Sequence, residues 1–514
     1  MRETHLPESA VLSLINADKY VLNGDFNLAY QLLSALHAQY PNSGETNHAL
    51  GAFYLQVEDF DKAIHCFSQT CQLMPSNFQA IFGLMDAFEL VNSHQDVATL
   101  NEYMLAKIPL QPEVIYKSAQ YCSEIGNLTK AITLANQCIK LCEQSTDYNL
   151  LQAYSWLLLI KLDPNIHQLP TIKRLTDLKE SSANDTNPDV SMIVNYAIGE
   201  VYHQLKNPQA AFSHWQFANK CQLAKSSFRT KALAGFFEKI MQAHKSIRNT
   251  DVQSISQDKK AFVPIFIVGL PRTGSTLLAS LLSSHSLVEN MGETNIVSNQ
   301  LASFFEEHFK KPYPDFMQDV VEKDTLSTEQ TKLDKGAQIY LNAVRKRQIN
   351  ACYVVDKLPA NFQSIGLIKT VFPNAKIIHL TRNFEDVALS IFRHHFANNE
   401  PYFCSIQELS VYNKMYLNLM AFWNKKFGQQ ILTLRYEDLV SDPSSSIQSV
   451  LEYCGLRQED ACVKTEKNIK IDRLSNNITA PIKTLSAIQV RSPISINAIG
   501  TSSAYKHLLA PYLL

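Results

Sequence analysis

The 514-residue sequence predicts a two-part chain: an N-terminal α-solenoid of helical repeats and a C-terminal α/β domain with a mostly parallel sheet. Three observations predict this fold class. The first half is self-similar, the second half alternates short β-rich runs with helical patterns, and a polar segment, IRNTDVQSISQDKKAF, separates the two. We therefore assign residues 9–247 to the solenoid and residues 261–514 to the α/β domain.

The first half repeats a pattern of small and aromatic residues. One unit carries Leu50, Gly51, Tyr54, Ala63, Phe67 and Pro75, the unit 34 residues earlier carries Tyr20, Ala29 and Pro41, and a later unit carries Ile198, Gly199, Tyr202, Ala211, Trp215 and Ala218. This spacing is that of tetratricopeptide repeats, in which small residues let two antiparallel helices approach closely and aromatic residues fill the space between hairpins. We expect about five to six helical pairs and a concave surface suited to a peptide or protein partner.

Composition argues against several classes of protein. A formal net charge of −1 gives no reason to expect nucleic acid or an acidic membrane as a partner. The 10 cysteines are scattered without a Cys-x-x-Cys, which argues against a zinc site or a redox pair. The N-terminus lacks a basic segment followed by an apolar core, and no run of about 18 apolar residues is present to span a bilayer. We therefore expect a cytoplasmic protein.

An anion-binding loop is predicted at the start of the second half. The runs VPIFIVGL, CYVVDK, AKIIHLTR and QILTLRYEDL indicate buried parallel strands, and the first leads directly into a turn and a helix, in FIVGLPRTGSTLL. Amides at such a turn favour a bound anion, and Gly274 permits close backbone approach. A nucleotide hydrolase would carry lysine where Ser275 stands, whereas here Arg272 supplies the positive charge.

The motif P-R-[ST]-G-[ST]-T-L after a buried strand resembles the 5′-phosphosulfate loop of sulfotransferases. The chain is most similar to the tyrosylprotein sulfotransferase branch, and to bacterial proteins with tetratricopeptide repeats before a sulfotransferase domain. The resemblance implies 3′-phosphoadenosine 5′-phosphosulfate as donor, without a metal ion. It also implies that the loop residues bind the 5′-phosphate and the sulfonate: Arg272, Thr273, Gly274, Ser275 and Thr276.

The same resemblance implies further site residues. In HSLVENMGETNIV, Glu293 falls at the position of the general base that takes the acceptor proton, and partial burial of this carboxyl is expected. In ACYVVDKLPANF, Lys357 matches the lysine that stabilises the bridging oxygen of the leaving phosphate, while Asp356 is expected to pair with Lys357 or to hold the loop. Arg272, Glu293, Lys357 and Ser486 are thus the expected catalytic residues.

Remaining donor contacts are implied by three later motifs. Arg382 and Ser390, at the end of AKIIHLTR and in the helix after it, match the pair that binds the 3′-phosphate. Tyr436 matches a tyrosine near the donor. In TLSAIQVRSPI, Ser486 matches a serine that contacts the sulfonate, and Gln489 and Arg491 belong to the same wall.

One departure from the family leaves alternatives open. Members usually continue with G-R-W near the C-terminus, whereas this chain reads GTSSAYKHL after Ile499, with Lys506 as the nearby cation. A scaffold in which the repeats bind a partner and the nucleotide-binding domain is inactive is one alternative. A P-loop kinase or nucleotide hydrolase is another, although the missing lysine argues against it. The sequence leaves three alternatives for the acceptor hydroxyl: a protein tyrosine, a saccharide or a small molecule.

Overall fold

The structure is a computed structural model. It describes residues 6–182, 188–226, 230–245, 262–322, 326–396, 400–463 and 494–513. The chain divides into two compact units. Residues up to Leu141, with Lys346–Gln348, form the first unit, and the remaining described residues from Cys142 onward form the second. Within the described part of the chain, no helix is both long and apolar enough to cross a membrane.

The N-terminal region consists of paired helices. These are α1 Glu8–Leu22, α2 Phe26–Gln39, α3 Gly44–Gln56, α4 Phe60–Leu73, α5 Phe78–Leu90, α6 His94–Lys107, α7 Pro112–Glu124 and α8 Leu128–Cys142. Several of these helices begin with a side-chain cap. Ser43, Asp59 and Asn77 accept a hydrogen bond from a first-turn amide of α3, α4 and α5, respectively.

Close packing between these helices depends on glycine opposite an aromatic ring. A Cβ atom added to Gly51 of α3 would lie 2.8 Å from the ring of Phe67, and one added to Gly83 of α5 would lie 2.4 Å from the same ring. Phe67 therefore fills the space between three successive helices. This is the packing role that the repeat pattern predicts for its small and aromatic positions.

Five more helices precede the sheet within the second unit. They are α9 Asn149–Leu162, α10 Leu169–Ser181, α11 Asp189–Gln204, α12 Pro208–Leu223 and α13 Ala232–Lys245. Gly199 and Trp215 repeat the arrangement of Gly51 and Phe67, because a Cβ atom at Gly199 would lie 2.4 Å from the indole nitrogen. Helices α1 to α12 thus make six pairs among the described residues, within the predicted range.

The α/β part is built on a five-stranded sheet of order β2-β3-β1-β4-β5 in which every pairing is parallel. The strands are β1 Val263–Gly269, β2 Val288–Gly292, β3 Tyr353–Asp356, β4 Lys376–Thr381 and β5 Ile431–Arg435. Four of them were predicted from apolar runs. Strand β2 was not, because it is a short edge strand in which only Val288 is buried and the apolar signal is absent.

Helices cover the sheet and complete the core. They are α14 Ser275–Leu282, α15 Ala302–Phe309, α16 Met317–Glu322, α17 Leu326–Lys346, α18 Ile365–Val371, α19 Phe384–Phe392, α20 Pro401–Cys404, α21 Ile406–Phe427, α22 Tyr436–Ser441, α23 Pro443–Cys454 and α24 Lys506–Leu509. A π-helical segment, Ile296–Leu301, precedes α15. On one face, α14 and α23 bury Leu278 and Val450 against β1 and β4. The predicted fold class is confirmed. The predicted domain boundary, between residues 247 and 261, lies outside the described residues.

Candidate active site

The loop between β1 and α14 is a tight turn held by its own hydrogen bonds. The Thr273 hydroxyl donates to the Leu270 carbonyl at 2.8 Å. Arg272 and Gly274 have φ values of +66° and +95°, so the chain enters the left-handed region twice before α14 begins. A Cβ atom on Gly269 would lie 2.4 Å from the Leu380 carbonyl, and glycine therefore lets β1 run close to β4 where the loop starts.

Arg382 and Tyr436 brace this loop from the neighbouring strands. Arg382 follows β4 and donates from Nη1 to the Arg272 carbonyl at 3.0 Å. Its guanidinium carbon lies 4.5 Å from the centre of the Tyr436 ring. That ring also covers Gly274, where a Cβ atom would meet it at 2.4 Å. The predicted donor residues Arg382 and Tyr436 are thus brought to the loop by the carboxyl ends of β4 and β5.

Arg272 bonds to Ser390 of helix α19. Its Nε donates to the Ser390 hydroxyl at 2.9 Å, so Ser390 and Arg382, the two predicted 3′-phosphate ligands, both contact Arg272. Burial, followed by the nearby charges of Arg382 and Arg393, lowers the pKa of Arg272 to about 10. Arg272 therefore remains protonated at neutral pH, in a region of excess positive charge.

Glu293 and Lys357 form an ion pair at the carboxyl ends of β2 and β3. The Lys357 side chain is 3% exposed and that of Glu293 is 47% exposed. The Lys357 amide also donates to the Gly292 carbonyl at 2.9 Å, which ties the two strand ends together. Glu293 follows an edge strand, and about half of its side chain is exposed. Its carboxylate therefore stays accessible while one oxygen is held by the lysine.

Asp356 holds the segments that carry this ion pair. It is fully buried and accepts hydrogen bonds from the Thr294 hydroxyl at 3.3 Å, the Tyr340 hydroxyl at 3.0 Å and the Asn361 amide at 3.2 Å. Of the two predicted roles for Asp356, the structure thus supports holding the loop. Sequence analysis did not identify Thr294 or Asn361, which carry no motif signal of their own.

A cavity of about 720 Å³ joins the loop to Glu293. Gly269, Arg272, Gly274, Ser275 and Thr276 line one part of it, and the segment Leu358–Ser364 lines another. Aromatic side chains form a further wall, in which the rings of Tyr402 and Tyr412 stack at 4.1 Å and those of Phe396 and Phe403 at 4.6 Å. His395 also lines the cavity. Sequence analysis left these aromatic residues unassigned.

The C-terminal residues bind the start of helix α19. Asp386 accepts hydrogen bonds from the amides of Gly500 and Ser502 at 2.7 and 2.8 Å. Burial alone would raise the pKa of Asp386, but the bonds from Ser502 and Gly500 outweigh it and hold the pKa below its usual value. Lys506 is exposed. The segment from Gly500 to Ser502 therefore has a structural role at the start of the helix that carries Ser390.

Three predicted site residues, Ser486, Gln489 and Arg491, lie outside the described residues. Of the other predicted residues, Ser390, Arg382 and Tyr436 each contact the loop, and Glu293, which lines the same cavity, pairs with Lys357. Among the described residues there is no group of three or more histidine, cysteine, aspartate or glutamate side chains arranged to hold a metal ion. The arrangement can bind an anion at the loop and accept a proton at Glu293.

Comparison with known proteins gives a family match, similar sequences and similar structures. Residues 264–460 match the model of the Sulfotransferase family. An uncharacterized protein of Aquifex aeolicus (strain VF5) is 34% identical over 261 residues, which are 49% of this chain and 32% of that protein. Protein-tyrosine sulfotransferase 2 of Gallus gallus is 25% identical over 230 residues, which are 42% of this chain and 60% of that protein.

This chain therefore spans less than two thirds of the length of either relative. A solved structure, the sulfotransferase domain of the Synechococcus PCC 7002 olefin synthase, is matched over 49% of this chain and 98% of its own, with 18% identity and a TM-score of 0.28.

Proposed function

We propose that the part of the chain at residues 264–460, which matches the model of the Sulfotransferase family, transfers a sulfonate from 3′-phosphoadenosine 5′-phosphosulfate to an acceptor hydroxyl. One observation carries the proposal: the Glu293–Lys357 ion pair and the loop from Gly269 to Thr276 belong to one site, with Glu293 and the loop lining a single cavity. A base for the acceptor and a cradle for the donor's anionic groups are both needed for this transfer.

The proposed chemistry has one proton to move and one bond to exchange. Glu293 accepts the proton of the acceptor hydroxyl while the acceptor oxygen forms its bond to sulfur. The bond from sulfur to the 5′-phosphate oxygen breaks, and adenosine 3′,5′-bisphosphate leaves with the electron pair. Lys357, held at the end of β3, donates a hydrogen bond to that oxygen as its negative charge grows. These steps need no metal ion.

The donor would be held at the loop and at the neighbouring strand ends. Loop amides, the hydroxyls of Ser275 and Thr276, and the Arg272 guanidinium suit the 5′-phosphate and the sulfonate. Arg382, with Tyr436 beneath it, suits the 3′-phosphate and the base. Ser486, Gln489 and Arg491 remain predicted members of this site.

The aromatic wall supports an acceptor that carries a ring. Stacked pairs such as Tyr402 with Tyr412 present flat apolar surfaces beside Glu293, and these suit a phenol better than a saccharide. We therefore favour an aromatic hydroxyl, of which the tyrosine of a peptide is one example. The helical repeats would then bind the remainder of such a peptide acceptor, as repeat surfaces bind other peptides.

The experiment that tests the function is calorimetric titration with adenosine 3′,5′-bisphosphate beside ATP, followed by a transfer assay with a nitrophenol acceptor. Tight binding of the bisphosphate but not of ATP, with sulfonate appearing on the phenol, is the expected result. Magnesium-dependent ATP turnover would instead indicate a kinase or hydrolase. Binding of neither nucleotide would favour the scaffold function, in which the repeats alone are active.

A further inference from the structure

Helix α1 packs against the other repeat helices through one apolar face. Leu14, Ala17 and Val21 follow one another at spacings of three and four residues, so their side chains lie along one side of the helix. They belong to an apolar cluster that α1 shares with α2 and α3, and Ala17 is fully buried there. This face accounts for the attachment of α1 to its neighbours.

The side of α1 that points away from this cluster is apolar as well, and it is exposed. With about 3.6 residues per helical turn, four side chains fall in one stripe on that side, within an arc of about 100°. They are 44–85% exposed, and no other described helix carries as many exposed large apolar side chains. The α1 stripe consists of Val11, Leu12, Ile15 and Leu22.

Such a stripe is unusual for a helix that faces water. Single exposed apolar side chains are ordinary on a protein surface, whereas several side by side are typical of a contact surface. A surface helix normally carries polar residues opposite its buried face, and a helix that is apolar on both sides is typically packed on both sides. The α1 stripe is therefore expected to be covered by a second surface.

Two residues of opposite charge flank the centre of the stripe. Glu8 precedes Leu12 by four residues and Lys19 follows Ile15 by four residues, so both charged side chains lie on the same side of the helix as the stripe. Neither Glu8 nor Lys19 forms an ion pair with a described residue. The stripe thus has a negative end and a positive end, and both charges are available to a partner.

This arrangement is complementary to itself when two copies of α1 lie antiparallel. Glu8 and Lys19 have the same midpoint in the sequence as Leu12 and Ile15. A two-fold axis at that midpoint places Leu12 of one copy against Ile15 of the second copy, and it places each glutamate against a lysine. A parallel alignment would instead bring like charges together. The charges therefore favour an antiparallel contact with a second copy of this chain.

We propose that the α1 stripe binds a second copy of this chain, through an antiparallel contact between the two α1 helices. The inference goes beyond the proposed function and does not depend on it. An interface of one helix from each copy is smaller than the roughly 1,600 Å² of a standard protein–protein interface. The dimer is therefore weak, and its population depends on protein concentration.

The test is sedimentation equilibrium of the full chain between about 1 and 300 µM, in the range where a small interface dissociates. We expect the wild type to pass from monomer to dimer over this range. Leu12→Lys places a charge in the centre of the contact twice per dimer, and it should raise the dimer Kd at least tenfold. The matched control is Leu110→Lys, which changes an exposed leucine between α6 and α7 and should leave the Kd unchanged.

Exchange of the two charges tests the antiparallel alignment. Glu8→Lys or Lys19→Glu alone creates two like-charge pairs per dimer, and each should weaken the dimer about tenfold at 50 mM salt. The double variant should restore the Kd to within about threefold of the wild type, and the effects of the single variants should shrink at 1 M salt. Circular dichroism checks that every variant keeps its helices.

Three results would overturn the inference. The first is a wild type that stays monomeric over the whole concentration range, and the second is a dimer that Leu12→Lys does not weaken. The third is a double charge exchange that leaves the dimer as weak as in the single variants, since an antiparallel contact requires the exchange to restore it.

Discussion

Glu200 and Arg393 form a two-bond ion pair that joins helix α11 to the end of helix α19. Burial alone would raise the pKa of Glu200, but the charge and hydrogen bonds of Arg393 outweigh it and hold the pKa well below its usual range. Burial, then Arg393, lowers the pKa of His203 to about 4. His203 is thus neutral, and because its Nε2 accepts from Arg393, its Nδ1 donates to the Tyr505 hydroxyl at 2.7 Å.

Removing this pair from one side should be costly for stability. We expect Glu200→Ala to lower the free energy of unfolding by about 3–5 kcal/mol, because Arg393 would be left buried without its carboxylate. Urea titration followed by circular dichroism measures the change. Glu143→Ala, which breaks the exposed pair with Arg174, should cost at most about 1 kcal/mol. Equal effects of the two variants would contradict a buried, structural ion pair.

Gly274 should be essential to the loop for steric reasons. In Gly274→Ala the added Cβ would overlap the Tyr436 ring at a φ of +95°, which side chains rarely adopt. We expect at least tenfold weaker binding of adenosine 3′,5′-bisphosphate, measured by calorimetry. Gly24→Ala is the matched control, since Gly24 has a φ of +82° and nothing within 4 Å of an added Cβ. Unchanged binding in Gly274→Ala would show that the loop is not the donor site.

Glu293 should matter for turnover and not for nucleotide affinity. As the proposed base, its loss in Glu293→Gln should lower kcat about 10²- to 10⁴-fold. Binding of the bisphosphate should stay within about threefold of the wild type. The transfer assay at saturating donor measures the first effect, and calorimetry measures the second. Glu289→Gln, on the exposed part of β2, serves as the control. Loss of both activity and binding in Glu293→Gln would indicate a structural role for this carboxylate.

Asp386 should give a pH-dependent contribution to stability. Its folded pKa is held below the ordinary value, so the contribution is fully present above the unfolded pKa of about 4 and is lost as pH falls through the folded pKa. We expect Asp386→Asn to lower the free energy of unfolding by about 2 kcal/mol at pH 7, since the amides of Gly500 and Ser502 lose a charged acceptor. Urea titrations at pH 7 and pH 3 should show that the difference in free energy of unfolding between the wild type and Asp386→Asn is smaller at pH 3. A difference in free energy of unfolding that does not change with pH would exclude the ionised carboxylate as its cause.

Much of the fold follows from local patterns in the sequence. The spacing of Gly51 and Phe67 is a helix-packing signal, and the apolar runs of β1, β3, β4 and β5 indicate buried strands, because in each case the signal lies within one or two neighbouring elements. Strand β2 is different. It is mostly polar and pairs only with β3 among the described strands. The sequence therefore does not indicate that a strand ends at Gly292 or that Glu293 lies beside Lys357, and both follow from the sheet.

The candidate site was predictable where it follows a motif and not where it depends on distant contacts. The loop and Lys357 are adjacent in sequence to a strand, so their positions follow from the strand pattern. Ser390 lies 118 residues from Arg272 and bonds to it, a contact that no motif in the sequence indicates. Such contacts are set by tertiary packing, for which local sequence carries no signal.

The bonds around Arg393 and Tyr505 bear on how far the two parts of this chain are independent modules. A shortened protein beginning at residue 261 would lack Glu200 and His203, and it would uncover the Tyr505 ring, which lies 5.7 Å from that of Trp215. Joining the α/β part to other repeats would require residues equivalent to these on the new helices. Recombination at the polar segment would separate these contacts, so helices α11 and α12 have to be transferred together with the α/β part.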